Sequence, residues 1–199
     1  MKYYFEEKIL FLYYCLTLIT IMPFYNPLLQ EYSIPLFFST STILNWKPLL
    51  TKDGNKDIII SSWEHLVERK RINMYGFVIM PTHIHSIFSL CENNLLKDVQ
   101  RDFGKYTAQQ LICNIHLDET LSIEDYKSTQ KDRNFQIWER RPLSIPIYND
   151  KTFYQKLNYI HDNPCKGNWN LASSPEEYRY SSAKFYETGI DDWGFLTAM

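Results

Sequence analysis

Two histidines separated by one residue, His83-Ile84-His85, open the second half of the apolar run NMYGFVIMPTHIHSIFSL. On a strand, side chains at i and i+2 share a face, so both imidazoles project together while Ile84 turns into the core. That is a convergent pair of nitrogen donors for a divalent metal, and it needs a third ligand to become a site. The alternative is a pair of histidines on a solvated strand face. A second feature lies in Asp150 to Asn163, DKTFYQKLNYIHDN. In a helix, Phe153, Leu157 and Ile160 form the buried stripe. Tyr159 falls roughly a third of a turn away, with Thr152, Lys156 and Asn163 on its side. A tyrosine hydroxyl and an amide oxygen then face the same space. The alternative is a boundary tyrosine turning its hydroxyl to water.

Phosphodiester chemistry would need both elements. A phenol, with a pKa of about 10, is a poor nucleophile at neutral pH unless its proton is withdrawn or its target activated. A divalent cation held by two histidines polarises a phosphate oxygen and orients the diester for in-line attack. The tyrosine oxygen displaces a sugar oxygen and stays bound to phosphorus. No water is consumed, so the bond energy is kept for rejoining.

The elements that must position these residues can be read from periodicity. A first strand fits Pro35 to Asn45, PLFFSTSTILN, rich in aromatic and β-branched residues. Asp53-Gly54-Asn55 reads as a turn. Asp57 to Lys70 reads as an amphipathic helix with Ile59, Trp63, Leu66 and Val67 on one face. Asn73 to Met80 and His83 to Leu90, broken only by Pro81-Thr82, read as an antiparallel hairpin. Asn94 is placed to cap a helix reaching about Ile115, with Leu96, Val99, Phe103 and Leu111 at helical spacing. Residues 116 to 134 are polar and turn-like. A strand fits Phe135 to Tyr148, confined to an edge or broken by Pro142 and Pro146. Asp150 caps the tyrosine helix, which Pro164 ends near Asn163. From Leu171 the chain is loop-rich with room for one short helix. Strand, helix, hairpin, helix, strand, helix predicts an α+β fold, an antiparallel sheet with helices packed on it.

The chain of 199 residues has room for one domain with a sizeable core. A net charge of −2 argues against a protein that coats duplex DNA non-specifically. A nucleic-acid partner must instead be met by local basic patches and stacking. Cys15, Cys91, Cys113 and Cys165 are scattered, with no C-x-x-C pair, as expected of a reduced, cytoplasmic protein. Ile9 to Phe24 is uncharged but shorter than the roughly 20 residues of a spanning helix. It also lacks a basic n-region and a small-residue cleavage site. Residues 1–30 are therefore set aside as an apolar extension: an appendage or misplaced start, a packed helix or, least in keeping with the length, a membrane anchor; no membrane partner is expected. The functional domain is assigned to 31–190, and 191–199 to a tail.

The run VIMPTHIHSIFSL resembles the metal-binding hairpin of HUH nucleases. The stretch from FQIWERRPLSIPIYND through QKLNYIHDNP to SSAKFY is similar to the C-terminal half of REP-associated tyrosine transposases, and LLKDVQRDFGKYTAQQL to their middle helix. The resemblance covers about residues 32–186, and implies the ferredoxin-like HUH nuclease fold. It implies that His83 and His85 are the paired metal ligands and that Tyr159 becomes linked to a DNA 5′ phosphate. Asn163 matches a position that completes the metal site, and His161, on the other side of the helix, is a reserve. The implied metal is Mg²⁺ or Mn²⁺, and the implied partner is single-stranded or hairpin DNA with palindromic repeats, bound by a monomer or homodimer. Two departures stand out: the apolar extension, and Thr82 where the family's hairpin turn carries Asn.

The expected DNA contacts are Lys97, Arg101 and Lys105, spaced by four on the middle helix, and Arg140-Arg141 with Trp138 beside them to stack on an unpaired base. Arg69-Lys70-Arg71 is a further basic cluster. The stripe's alternative is a merely solvated face. A second function class is a catalytically silent protein, derived from a transposase, that binds DNA hairpins without cutting. A third, a metal hydrolase activating water, leaves Tyr159 without a role.

Overall fold

Four antiparallel strands form the sheet: β1 (Leu36–Thr42), β2 (Ile72–Ile79), β3 (His83–Leu90) and β4 (Leu143–Ile147), in the order β2-β3-β1-β4. The computed structural model describes residues 35–199, so the apolar segment at Ile9 to Phe24 lies outside the described residues. Among the described residues no helix is long and apolar enough to cross a membrane. Helices α1 (Asp53–Glu68) and α2 (Leu96–Leu117) pack on one face of the sheet, α3 (Asp150–Asp162) packs on the other, and α4 (Ala183–Thr188) follows. The expected α+β arrangement is the one observed.

Strand alternation divides the core in two. On the α1/α2 face, Ile84, Phe88, Phe77 and Ile79 meet Ile59, Trp63, Leu66, Val99, Phe103 and Leu111. On the α3 face, Leu36, Phe38, Val78 and Ile87 meet Phe153, Leu157 and Ile160. The stripe expected on the tyrosine helix is thus the one that is buried. Helix α3 approaches β2 where Gly76 carries no side chain; a Cβ there would lie 2.6 Å from Leu157 Cδ1. The β2–β3 ladder shifts register between Met74 and Gly76, a bulge at the same place.

Several boundaries differ from expectation for identifiable reasons. Asp53-Gly54-Asn55 opens α1 instead of turning before it. Asn55 is buried and donates to Leu49 O at 2.8 Å, and Asp53 pairs with Lys56 at 2.8 Å and suits the positive end of the helix dipole. Asn94 does not cap α2, which begins after Leu95 without a side-chain cap. Its amide instead donates to carbonyls at Lys70, Cys91 and Glu92. On α3 the cap is Asn149, one residue before the expected Asp150, its Oδ1 accepting from Thr152 N at 2.9 Å. The strand expected from Phe135 shortens to β4; Ile137 and Glu139 still bond the end of β1 by backbone, but Pro142 separates them from it. Pro146 sits in β4, an edge strand, where a missing N–H is tolerated.

The other edge, β2, is covered by the C-terminal segment. Ser182 N donates to Phe77 O, Ile79 N to Tyr180 O, and Thr197 N to Met74 O, while Phe195 and Trp193 pack against Phe77. A sheet edge thereby loses its exposed donors and acceptors.

Candidate active site

The ladder between β1 and β3 places His85 opposite Thr40 and His83 opposite Thr42. Both imidazoles project from the α3 face of the sheet, with ring centres 4.8 Å apart. His85 Nδ1 lies 2.7 Å from Thr40 Oγ1, and His83 Nδ1 lies 3.0 Å from Thr82 Oγ1. Each hydroxyl holds its ring by Nδ1; where it accepts from Nδ1–H, the Nε2 lone pair is the one a metal would use. Thr82, the departure from the family's turn residue, therefore orients the first histidine. Burial lowers the His83 pKa to about 4. Burial, then the neighbouring charges of His83 and Lys156, hold His85 well below the usual histidine value. Both rings are neutral near pH 7, the state a metal requires.

The phenol of α3 reaches the same place. The Tyr159 ring is half-buried and meets His85 edge-on at 5.4 Å, while Phe38 stacks on His85 at 5.4 Å and contacts Tyr159 at 6.1 Å. Tyr159 sits there because Leu157 and Ile160 anchor α3 to the sheet on its other flank. Indoles border His83, with Trp46 at 5.5 Å and Trp169 at 6.1 Å.

Asn163 keeps helical dihedrals (φ −51°, ψ −46°) although Pro164 follows, so it stays in register with Tyr159 one turn before it. Its Nδ2 is buried without a hydrogen-bond partner among the described residues. A carboxamide can turn either end into a site, and an inward Oδ1 is a hard ligand suited to Mg²⁺ or Mn²⁺. Among the described residues no group of three or more His, Cys, Asp or Glu side chains forms a metal cluster. Asn163, one turn after Tyr159, carries an amide oxygen, a donor of another type. His161, the reserve ligand, turns the other way: its Nε2 lies 2.8 Å from Ser182 Oγ, which also accepts from Phe77 N. It ties α3 to the C-terminal segment over β2.

The expected DNA contacts lie elsewhere. Arg101, Lys105, Trp138 and Arg140 line a cavity of about 540 Å³ whose sheet floor is Ser39, Ser41, Ile84 and Ser86. By alternation, those floor residues face away from the histidines. Lys97 and Arg141 are exposed and do not line it. Arg101 is engaged by Asp98 and Asp102, and Trp138 Nε1 donates to Thr107 Oγ1 at 2.9 Å. The structure thus brings His83, His85 and Tyr159 together and puts Arg101, Lys105, Trp138 and Arg140 on the opposite side of the sheet. Thr40 and Phe38 were not legible as site residues, because only the β1–β3 register carries them to His85.

Among the solved structures that match the chain is "Structure of the REP associates tyrosine transposase bound to a REP hairpin". Identity is 18%, with 88% of this chain and 92% of that one covered and a TM-score of 0.58. The chain has the fold of a REP-associated tyrosine transposase. A putative transposase from Deinococcus radiodurans R1 is more distant, at 14% identity and a TM-score of 0.42 over 67% of this chain and 94% of that one. No family model and no curated protein matches the sequence. In this fold the histidine hairpin is the β2–β3 pair at one side of the sheet, and the tyrosine helix packs over it.

Proposed function

We propose that this chain is a metal-dependent endonuclease and strand transferase that cuts single-stranded, hairpin-forming repeat DNA through a phosphotyrosine intermediate. The observation carrying this reading is the convergence of two neutral, hydroxyl-oriented imidazoles with a helix-borne phenol. His83 and His85, with Asn163, would hold a Mg²⁺ or Mn²⁺ ion, which supplies charge to polarise a non-bridging phosphate oxygen. Thr40 and Thr82 hold the imidazoles with Nε2 outward, and Phe38 walls Tyr159 against His85. Tyr159 Oη attacks phosphorus in line and the P–O3′ bond breaks. The strand then carries a free 3′ hydroxyl, which has gained the phenol's proton, and a 5′ phosphate esterified to Tyr159. Attack by a 3′ hydroxyl reverses the step and rejoins a strand. The 18%-identical neighbour was solved with a REP hairpin, and the same class of DNA is the substrate proposed here.

The test is denaturing electrophoresis after mixing the protein with labelled single-stranded hairpin DNA and Mn²⁺. A covalent adduct is expected, and it is absent from Tyr159→Phe and from His83→Ala. An adduct that persists in Tyr159→Phe rules out this nucleophile. Binding without any adduct in the parent protein turns the assignment to a silent hairpin binder.

A further inference from the structure

Two indoles border His83 and have no part in the reaction as written. Trp46 is buried, with its ring centre 5.5 Å from that of His83. The chain reaches it through two successive left-handed residues, Asn45 (φ 55°) and Trp46 itself (φ 57°), held by Asn45 N donating to Glu139 Oε1 at 2.8 Å. Non-glycine residues take that conformation at a cost, so the surroundings of Trp46 fix it as a wall beside His83. Trp169, 6.1 Å from His83, differs: it is half-buried, in a run whose other members, Lys166, Gly167, Asn168 and Asn170, are exposed.

The place of Trp169 is set from the tyrosine helix. Lys166 N donates to Asn163 O and Leu171 N to Pro164 O at 2.9 Å, and Gly167 turns the chain with φ +63°. Part of the indole packs on the cluster of Phe38 and Phe153, and the rest faces out. Packing alone would be met by any large apolar side chain. A flat, partly open ring beside a site for phosphodiester chemistry suits a nucleobase, because every base has a π face.

The direction of attack selects the base. Tyr159 meets His85, whereas both indoles meet His83, so nucleophile and indoles border different members of the histidine pair. In-line displacement puts the leaving O3′ on the side of phosphorus away from the attacking oxygen. We infer that Trp169 stacks on the base of the nucleotide whose O3′ leaves, one sugar away from the phosphate that Tyr159 attacks. This rests on the nuclease reading of the site. The indole holds the released strand after the cut, so its free 3′ hydroxyl stays within reach for rejoining.

The test is an abasic scan with the full chain in EDTA. Affinity is measured for the single-stranded hairpin DNA of the adduct assay with one base at a time removed. The parent is compared with Trp169→Leu, which keeps apolar bulk without a flat ring, and with Trp169→Phe, which keeps a smaller ring. Trp169→Leu should bind the intact strand about 5- to 100-fold more weakly than the parent, and Trp169→Phe should recover part of that loss. The salt slope should not change, since no phosphate contact is lost. Removing one particular base should weaken the parent by a like factor and leave Trp169→Leu unaffected. The Tyr159 adduct should map that nucleotide to the 5′ side of the cut.

A Trp169→Leu protein that responds to every abasic position as the parent does overturns the stacking, even if the adduct forms. A blind position elsewhere on the strand overturns the placement beside the leaving oxygen. If no adduct forms while one position stays blind, the nuclease reading fails and the base contact stands. Should Trp169→Leu not fold, Trp169→Met carries the same comparison.

Discussion

Thr40 and Thr82 decide what His85 and His83 can do. Each hydroxyl meets an Nδ1, so the ring nitrogen turned away from it is Nε2. Loss of such an orienting partner usually costs about 10- to 100-fold in metal affinity. Thr40→Val keeps the shape of the side chain and removes its hydroxyl. It should weaken Mn²⁺ binding by about tenfold, measured by calorimetry, with little change in thermal stability. An unaltered affinity would mean that β-strand packing alone holds the His85 ring. Tyr159→Phe, in contrast, should retain Mn²⁺ and DNA binding while forming no adduct, because only the nucleophilic oxygen is lost.

At the scale of elements, the buried stripe of α3 over the hairpin is supplemented by a close approach at Gly76 and a hydrogen bond at His161. Gly76→Ala places a methyl group against Leu157 Cδ1 and should cost about 1–3 kcal/mol in urea unfolding, as overpacking does. His161 fastens the same helix to Ser182, and burial lowers its pKa to about 4. Between about pH 6.5 and 4 the unfolded chain binds a proton at this histidine and the folded chain does not. Its contribution is therefore complete above pH 6.5 and is lost as pH falls through that window, by up to about 3 kcal/mol. His161→Gln should flatten stability against pH over the same window in chemical-denaturation curves. A parallel, merely displaced curve would remove His161 as a source of acid sensitivity. His83 and His85 contribute with the same sign, so the slope is reduced rather than abolished.

For the whole molecule, the sheet separates the face that carries His83, His85 and Tyr159 from a basic cavity. A strand that engages both must pass round an edge of the sheet. β2 is covered by the C-terminal segment, whereas β4 is the other edge and lies next to Arg140 and Arg141 in sequence. If the basic side binds DNA, Lys97→Ala with Arg101→Ala should weaken hairpin binding and flatten its salt dependence. Acid partners at Asp98 and Asp102 limit the share of Arg101. The adduct position on the DNA should be unchanged, since neither residue lies on the histidine face. An unaltered salt slope would make this stripe a solvated surface.

Local pattern was enough to read the hairpin, the buried stripe of α3 and the projection of His83, His85 and Tyr159. Each depends only on periods of two or about 3.6 residues, which sequence displays directly. The ends of elements were less legible, because Asp53-Gly54-Asn55 and Asn94 can serve a turn or a helix start equally well. Their hydrogen bonds to Leu49 and to Lys70 decided between these roles. The sequence by itself determined which residue types could do chemistry and which faces they share. Only the tertiary structure decided that Thr40 meets His85, that Tyr159 rests against that ring, that His161 belongs to Ser182 and that the basic cavity lies behind the sheet. Those pairings span from about twenty to more than seventy residues of chain, and they are set by strand register and helix docking, which no local period encodes.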